Sequence, residues 1–284
     1  MLRDFTKKIL REHDIRLRKK SGQSQIIDEE VLERLVEPGK LSQEDTILEI
    51  GPGIGNLTDL LIQRAGRVIA IENDERLVKV LDERFSDVEN LEVIQGDALE
   101  VDFPDFDKII SNLPFSISSE ITFKILRQDF KLGVLMYQRE FAQRMTASSG
   151  SSDYGRLSVN VFYRAKVEEV GEVPSSAFIP QPEVNSTILK LELREPPFKV
   201  DDEGLFSRVL RAAFQHRRQK VRNALIHSFK VMFPGSSLPK AQQREFVDEH
   251  LPTKFADSRP ADLSPEDFGE ITNILTELGH ELQD

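Results

Sequence analysis

The sequence predicts an α/β protein, a doubly wound (Rossmann-like) domain followed by a small helical C-terminal domain. Three observations predict it. A short apolar run at 45–50 breaks into the turn Gly51-Pro52-Gly53-Ile54-Gly55 and then into a helical pattern over about 57–65. Further apolar runs at 68–72, 91–95 and 108–111 follow at βα spacing, and each closes on a polar residue: Glu72, Asp97 and Asn112. Beyond Glu195-Pro196-Pro197 the pattern is helical.

In chain order, residues 1–20 read as a basic amphipathic helix or arm, in which Arg3, Lys7, Lys8, Arg11, Arg16, Arg18, Lys19 and Lys20 outnumber Asp4, Glu12 and Asp14. Gly22 marks a loop, and Asp28 suits the N-cap of a helix over 29–36 that Glu37-Pro38-Gly39 ends. The glycines at 51–55 let backbone N–H groups approach a ligand at a helix start. Glu72 lies about 20 residues past the first of them, where an acid can accept both hydroxyl hydrogens of a ribose. Asp97, after the third strand, can accept from an adenine amino group at the rim of the same pocket. A fifth strand is expected at 131–138, a short helix at 139–145, and a small-residue loop at 147–153. Phe178-Ile179-Pro180-Gln181-Pro182 reads as a rigid extended loop and 187–193 as a closing strand. The expected domains are 1–195, binding and catalytic, and 196–284, helical and RNA-binding. In the second, Arg208, Arg211, Arg217, Arg218, Lys220 and Arg222 form an acid-free basic cluster, and 205–213, 242–250 and 266–282 supply helices.

The chain has 284 residues, 39% hydrophobic and 31% charged, a globular balance with room for two domains. It has no cysteine, which excludes disulfides, thiolate nucleophiles and Cys-based metal sites, and no metal is expected. No signal-peptide pattern or membrane-length apolar run is present, so the protein reads as cytoplasmic, without a membrane partner. The net charge of −11 makes local basic clusters, not the total, the expected phosphate-binding footprint.

Asn112-Leu113-Pro114-Phe115 is the candidate catalytic stretch. The Asn112 side-chain oxygen and the Leu113 and Pro114 carbonyls can accept hydrogens from an exocyclic amine, and Phe115 offers a face to a flipped-out adenine. The same four residues also make a good turn sequence. Phe178 either sandwiches the base or packs in a core. The spacing Gly51-x-Gly53-x-Gly55, preceded by Glu49, departs from the dinucleotide pattern and suits S-adenosylmethionine, which has no pyrophosphate to seat.

The chain resembles the ribosomal RNA adenine dimethyltransferases of the KsgA type in their archaeal form. The resemblance rests on Gly22-Gln23, 49–55, Glu72, Gly96-Asp97-Ala98, Asn112-Leu113-Pro114-Phe115, Gln138-Arg139-Glu140, 154–159, 178–182 and 217–225. It implies a class I methyltransferase fold and S-adenosylmethionine contacts at Ser24, Ile26, Gly51, Glu72, Asp97 and Asn112. It also implies dimethylation of two adjacent adenosines near the 3′ end of small-subunit ribosomal RNA, on a partly assembled subunit, by a monomer. Two departures stand out. Gln25 occupies a position where the family usually carries an aromatic, and Phe115 replaces the usual Tyr, as in the related large-subunit enzymes. Large-subunit RNA as target, or a catalytically silent assembly factor, are the competing readings.

Overall fold

The computed structural model describes residues 1–17 and 23–279, and these fall into two compact units. The first unit comprises 1–142 and 165–194; the second comprises 143–164 and the chain from 195 onward. Arg18, Lys19, Lys20 and Gly22 of the expected arm and loop lie outside the described residues, as does the end of the expected helix 266–282.

The first unit opens with α1 (Leu2–Glu12), β1 (Gln25–Ile26) and α2 (Glu29–Val36). Asp28 caps α2 as its sequence suggests, accepting from the Glu30 N–H at 3.0 Å and the Val31 N–H at 3.4 Å. Then β2 (Thr46–Ile50), α3 (Asn56–Arg64), β3 (Arg67–Glu72), α4 (Glu75–Arg84), β4 (Leu91–Gln95), β5 (Lys108–Asn112), α5 (Ser118–Ile125) and β6 (Leu132–Gln138) follow, strand and helix alternating except between β4 and β5. α6 (Arg139–Thr146) and α7 (Arg156–Arg164) precede β7 (Ala165–Val173), β8 (Phe178–Ile179) and β9 (Ser186–Leu193).

Seven strands form one sheet in the order β4-β3-β2-β5-β6-β9-β7. The first five run parallel, and β9 and β7 are antiparallel to their neighbours. β2 and β3 are buried along nearly their whole length because helices cover both faces, hence their mainly apolar runs, interrupted in β2 by the buried Glu49. Leu57 and Leu61 of α3 pack with Ile47, Val68 and Ile110 in that core. The strand order reverses at β2, so the ends of β2 and β5 frame a crevice, the usual ligand position in open α/β sheets. β1 and β8 pair separately, Gln25 with Ile179 and Ile26 with Phe178, so part of the expected extended loop at 178–182 is a strand.

β7 has no counterpart in the sequence reading. It is an edge strand, and its exposed Lys166, Glu168 and Glu169 break the apolar pattern while discouraging further pairing.

The second unit adds α8 (Glu203–Gln215), α9 (Val221–His227), α10 (Phe229–Met232), α11 (Lys240–His250), α12 (Thr253–Ala256) and α13 (Pro265–Gly279). Here the expected boundary needs correction. Residues 143–164, assigned by sequence to the first domain, belong to the helical unit. Tyr154, Val159 and Tyr163 share one core with Leu205, Val209 and Phe268, so α7 buries its apolar face among helices that follow it much later in sequence.

Candidate active site

A cleft of about 660 Å³ opens at the reversal point of the sheet. Gly51, Glu72, Asp74, Asp97, Pro114 and Ile117 are among its lining residues, so the turns after β2, β3, β4 and β5 all contribute.

The glycine turn is held from below. Gly51, Gly53 and Gly55 have φ of 70°, 63° and 85°, left-handed values that favour glycine. Gly55 serves as the N-cap of α3, which starts at Asn56, one residue before the sequence suggested. The Ile54 N–H donates to Gln25 Oε1 at 3.1 Å, and a Cβ on Gly53 would come within 2.1 Å of Gln25 Nε2. Gln25 is thus a buried brace for the turn, which a flat aromatic ring could not supply through a carbonyl acceptor. Gly53→Ala is expected to cost at least about 1 kcal/mol of stability through the left-handed backbone alone. It should also weaken ligand binding in the cleft. A denaturation midpoint equal to that of the parent would contradict both the strain and the Gln25 contact.

Glu72 ends β3 with both oxygens engaged. Oε2 accepts from the Gly53 N–H at 3.1 Å and Oε1 from the Asp74 N–H at 2.9 Å. A carboxylate retains further acceptor positions on both oxygens, so a ligand hydroxyl can still be received. Burial pushes its pKa up, while the backbone N–H groups of Asp74, Gly53 and Asn73 pull it down. Beneath it, Glu49 is fully buried and accepts from Thr58 Oγ1 at 2.7 Å. Desolvation, opposed by that hydrogen bond and reinforced by Glu72, raises the Glu49 pKa to about 8.

The raised value has a sign for stability. A carboxyl whose folded pKa exceeds its unfolded pKa of 4.5 binds protons more tightly when folded. Its stabilising contribution is complete below the unfolded pKa and is lost as pH rises through about 8. Glu49→Gln keeps an acceptor for Thr58 without the titration. The variant's thermal midpoint is therefore expected to fall less than the parent's between acid pH and pH 8, with a shallow residual slope from Glu72. Identical pH–stability curves would contradict the assignment.

Asn112, the last residue of β5, is pinned by its neighbour across the sheet end. Its Nδ2 donates to the Ser24 backbone carbonyl at 3.0 Å, and Ser24 Oγ donates to the Pro180 carbonyl at 3.1 Å. A carbonyl only accepts, so the amide orientation is fixed and Oδ1 faces the other way. Oδ1 is buried and has no hydrogen-bond partner among the described residues. An unpaired buried acceptor costs about 1–3 kcal/mol and is the kind of deficit that a donating ligand removes.

Residues 15–253 match the family model described as ribosomal RNA adenine dimethylase. The chain belongs to the ribosomal RNA adenine dimethylase family. It is 49% identical over 253 residues to a protein of Methanosarcina mazei named probable ribosomal RNA small subunit methyltransferase A, covering 89% of this chain and 91% of the relative. A dimethyladenosine transferase from Plasmodium falciparum superposes with a TM-score of 0.71 at 32% identity, over 89% of this chain and 97% of that one. The 23S rRNA methyltransferase ErmE superposes with a TM-score of 0.61 at 26% identity, over 91% and 99%. The class I methyltransferase fold and an enzymatic role follow from the family, and the catalytically silent reading is set aside.

Of the expected site residues in this dimethylase, Gly51, Glu72, Asp97 and Pro114 line the cleft. Asp97 holds its own turn, Oδ1 accepting from the Leu99 N–H at 2.8 Å. Ser24 and Ile26 are buried supports: the first carries Asn112, and the Ile26 carbonyl accepts from Asn56 Nδ2 at 2.8 Å. Leu113 is buried as a whole residue. The Pro114 carbonyl accepts from the Ile117 N–H at 3.2 Å and closes a 3₁₀ turn over Phe115–Ile117, so it is not the free acceptor the sequence suggested. The tetrapeptide thus leads into a turn, and the Asn112 oxygen at its start is a buried acceptor without a partner. Phe178 is 1% exposed in the core with Ile26 and Leu35, which resolves its alternative in favour of packing.

Sequence reasoning missed Gln23, Asp74, Arg76, Ser116 and Ile117 in the cleft wall. Asp74 had a visible signal, an acid two residues past Glu72 that also caps α4 through the Arg76 N–H at 3.1 Å. The basic cluster 208–222 is partly neutralised: Arg208 pairs with Asp202, Lys220 with Asp257 at 2.7 Å, and Arg222 with Asp248. Among the described residues, no helix is long and apolar enough to cross a membrane, and no group of three or more His, Asp or Glu could hold a metal ion.

Proposed function

We propose that this enzyme dimethylates N6 of two adjacent adenosines near the 3′ end of small-subunit ribosomal RNA, on a partly assembled subunit and as a monomer, with S-adenosylmethionine as methyl donor. The single observation that carries the reading is the pinned Asn112 amide with its bare, buried Oδ1, two residues before Pro114 in the wall of the glycine-turn cleft. The cleft suits the donor molecule. The glycine turn admits close backbone approach, Glu72 can receive ribose hydroxyls, and Asp97 can receive an adenine amino group at the rim. Ser24 and Ile26, which the resemblance places at the donor, also brace Asn112 and Asn56 through their carbonyls.

Bound there, S-adenosylmethionine supplies an electrophilic methyl group on a positively charged sulfur. The protein's part is positional. An adenine amine is a weak nucleophile because its lone pair is delocalised into the ring. Asn112 Oδ1 accepts one of its hydrogens and the Leu113 carbonyl the other, which favours a pyramidal nitrogen and aims the lone pair at the donor. Phe115, half-buried beside them, stacks on the extruded base. The stretch holds no strong base, so the amine proton leaves after transfer.

Small-subunit RNA is favoured over large-subunit RNA by the Methanosarcina relative, whose identity and coverage exceed the backbone likeness to ErmE. The test is mass mapping of modified adenosines after incubating the protein and labelled donor with undermethylated small subunits and, separately, with large subunits. Two methyl groups on each of two neighbouring small-subunit adenosines are expected. Label confined to large-subunit RNA would replace this target with the other.

A further inference from the structure

We infer that the helical unit carries a separate RNA site, a cleft that takes an unpaired nucleotide and its flanking phosphates. The inference rests on RNA being the substrate. The cleft measures about 790 Å³ and lies among α8, α9, α10 and α11. Its charge is one-sided: Lys230, Lys240 and Arg244 line it together with His216 and His227, and no carboxylate is among the lining residues. In a chain of net charge −11 such a lining is not what chance exposure gives.

Half of the six-residue basic cluster legible in the sequence is already paired. Arg208, Lys220 and Arg222 each have an acidic partner. Lys230 and Lys240 are exposed, and neither has an ion pair or side-chain hydrogen bond among the described residues. Arg244 feels the Asp248 charge, but Asp248 makes its ion pair and hydrogen bonds with Arg222. Unpaired cations around a concavity are available for phosphate, whereas paired ones must first give up a partner.

The remaining lining suits a base rather than phosphate alone. The rings of His216 and His227 lie 5.4 Å apart, and half-buried Ile226, Val231 and Leu238 provide apolar surface. Gln243 is buried and spends its Nε2 on the Leu238 carbonyl at 2.7 Å, leaving its own carbonyl oxygen as an acceptor for a base edge. An acidic peptide would use the cations but not the flat rings and the acceptor.

The test uses the full chain, a single-stranded oligoribonucleotide from the small-subunit 3′ region, and S-adenosylmethionine. Lys230→Ala/Lys240→Ala is expected to lower RNA affinity more than about tenfold at moderate salt. The slope of log affinity against log salt should fall by roughly 1.4, about 0.7 for each lost phosphate contact. His227→Ala should lower affinity roughly fivefold with little change in slope, the signature of lost stacking. Lys230→Arg/Lys240→Arg should restore binding, and donor affinity should match the parent in all variants. Equal RNA affinity and slope in parent and alanine variants would overturn the site while leaving the methylation reading intact. Loss of binding to a polyglutamate peptide with RNA binding retained would overturn it in favour of an acidic partner. Failure of the parent itself to bind RNA would overturn both.

Discussion

Asn112→Ala is expected to abolish measurable methyl transfer, lowering the single-turnover rate by about 10²–10³-fold or more, while RNA affinity stays within about twofold of the parent. The expectation follows from what the side chain does. Its Nδ2 donates one hydrogen bond to the Ser24 carbonyl, and its oxygen is the buried acceptor without a partner. Alanine removes that acceptor and leaves the Ser24 carbonyl unpaired, so a stability loss of about 1–2 kcal/mol should accompany the catalytic one. Asn112→Asp separates the two effects. It keeps the acceptor and the shape but sets an anionic oxygen against the Ser24 carbonyl, so it should fold less stably yet transfer faster than alanine. A rate for the alanine variant within tenfold of the parent, with donor saturating, would remove Asn112 from the chemistry.

Glu72→Ala should weaken S-adenosylmethionine binding by about 1–3 kcal/mol, or roughly five- to 150-fold in dissociation constant by calorimetry. Two losses combine in it. The ribose loses its acceptor, and the Gly53 and Asp74 N–H groups lose theirs, so the glycine turn is no longer tied to the end of β3. Glu72→Gln retains one carbonyl and should fall between. Because burial lifts the Glu72 pKa, donor affinity should decline on acidification from a pH above the ordinary carboxylate range. Donor affinity unchanged in the alanine variant would exclude Glu72 from the site.

The parallel half of the fold was readable because its physics is local. Buried parallel strands need mainly apolar runs, and glycine at 51, 53 and 55 reports a turn that other residues resist. Asp28 was readable as a cap for the same reason. β7 was not, because an edge strand with one solvated face carries charges where a pattern search expects apolar residues. Gln25 stood out only as a departure from the family habit, and its contact with Ile54 lies 29 positions away, beyond any spacing rule. Phe178 could not be assigned from its own neighbours, since the core that claims it is assembled from β1, α2 and β6. The ion pairs of Arg208 and Arg222 join positions 6 and 26 residues apart that no spacing rule connects, and the cations of the second cleft, Lys230, Lys240 and Arg244, lie outside the cluster that composition picks out.

The helical unit is assembled from two separated pieces of chain, 143–164 and the part from 195 onward. During vectorial synthesis the first piece leaves the ribosome well before its core partners Leu205, Val209 and Phe268 have been made. Tyr154, Val159 and Tyr163 must wait uncovered while β7 and β9 are translated, which makes this interval the natural point for chaperone capture. Excising 195–284 for separate expression would strand those three side chains in the remaining fragment and deprive the excised one of α7. An isolated helical module needs 143–164 linked directly to the chain from 195 onward, with 165–194 removed.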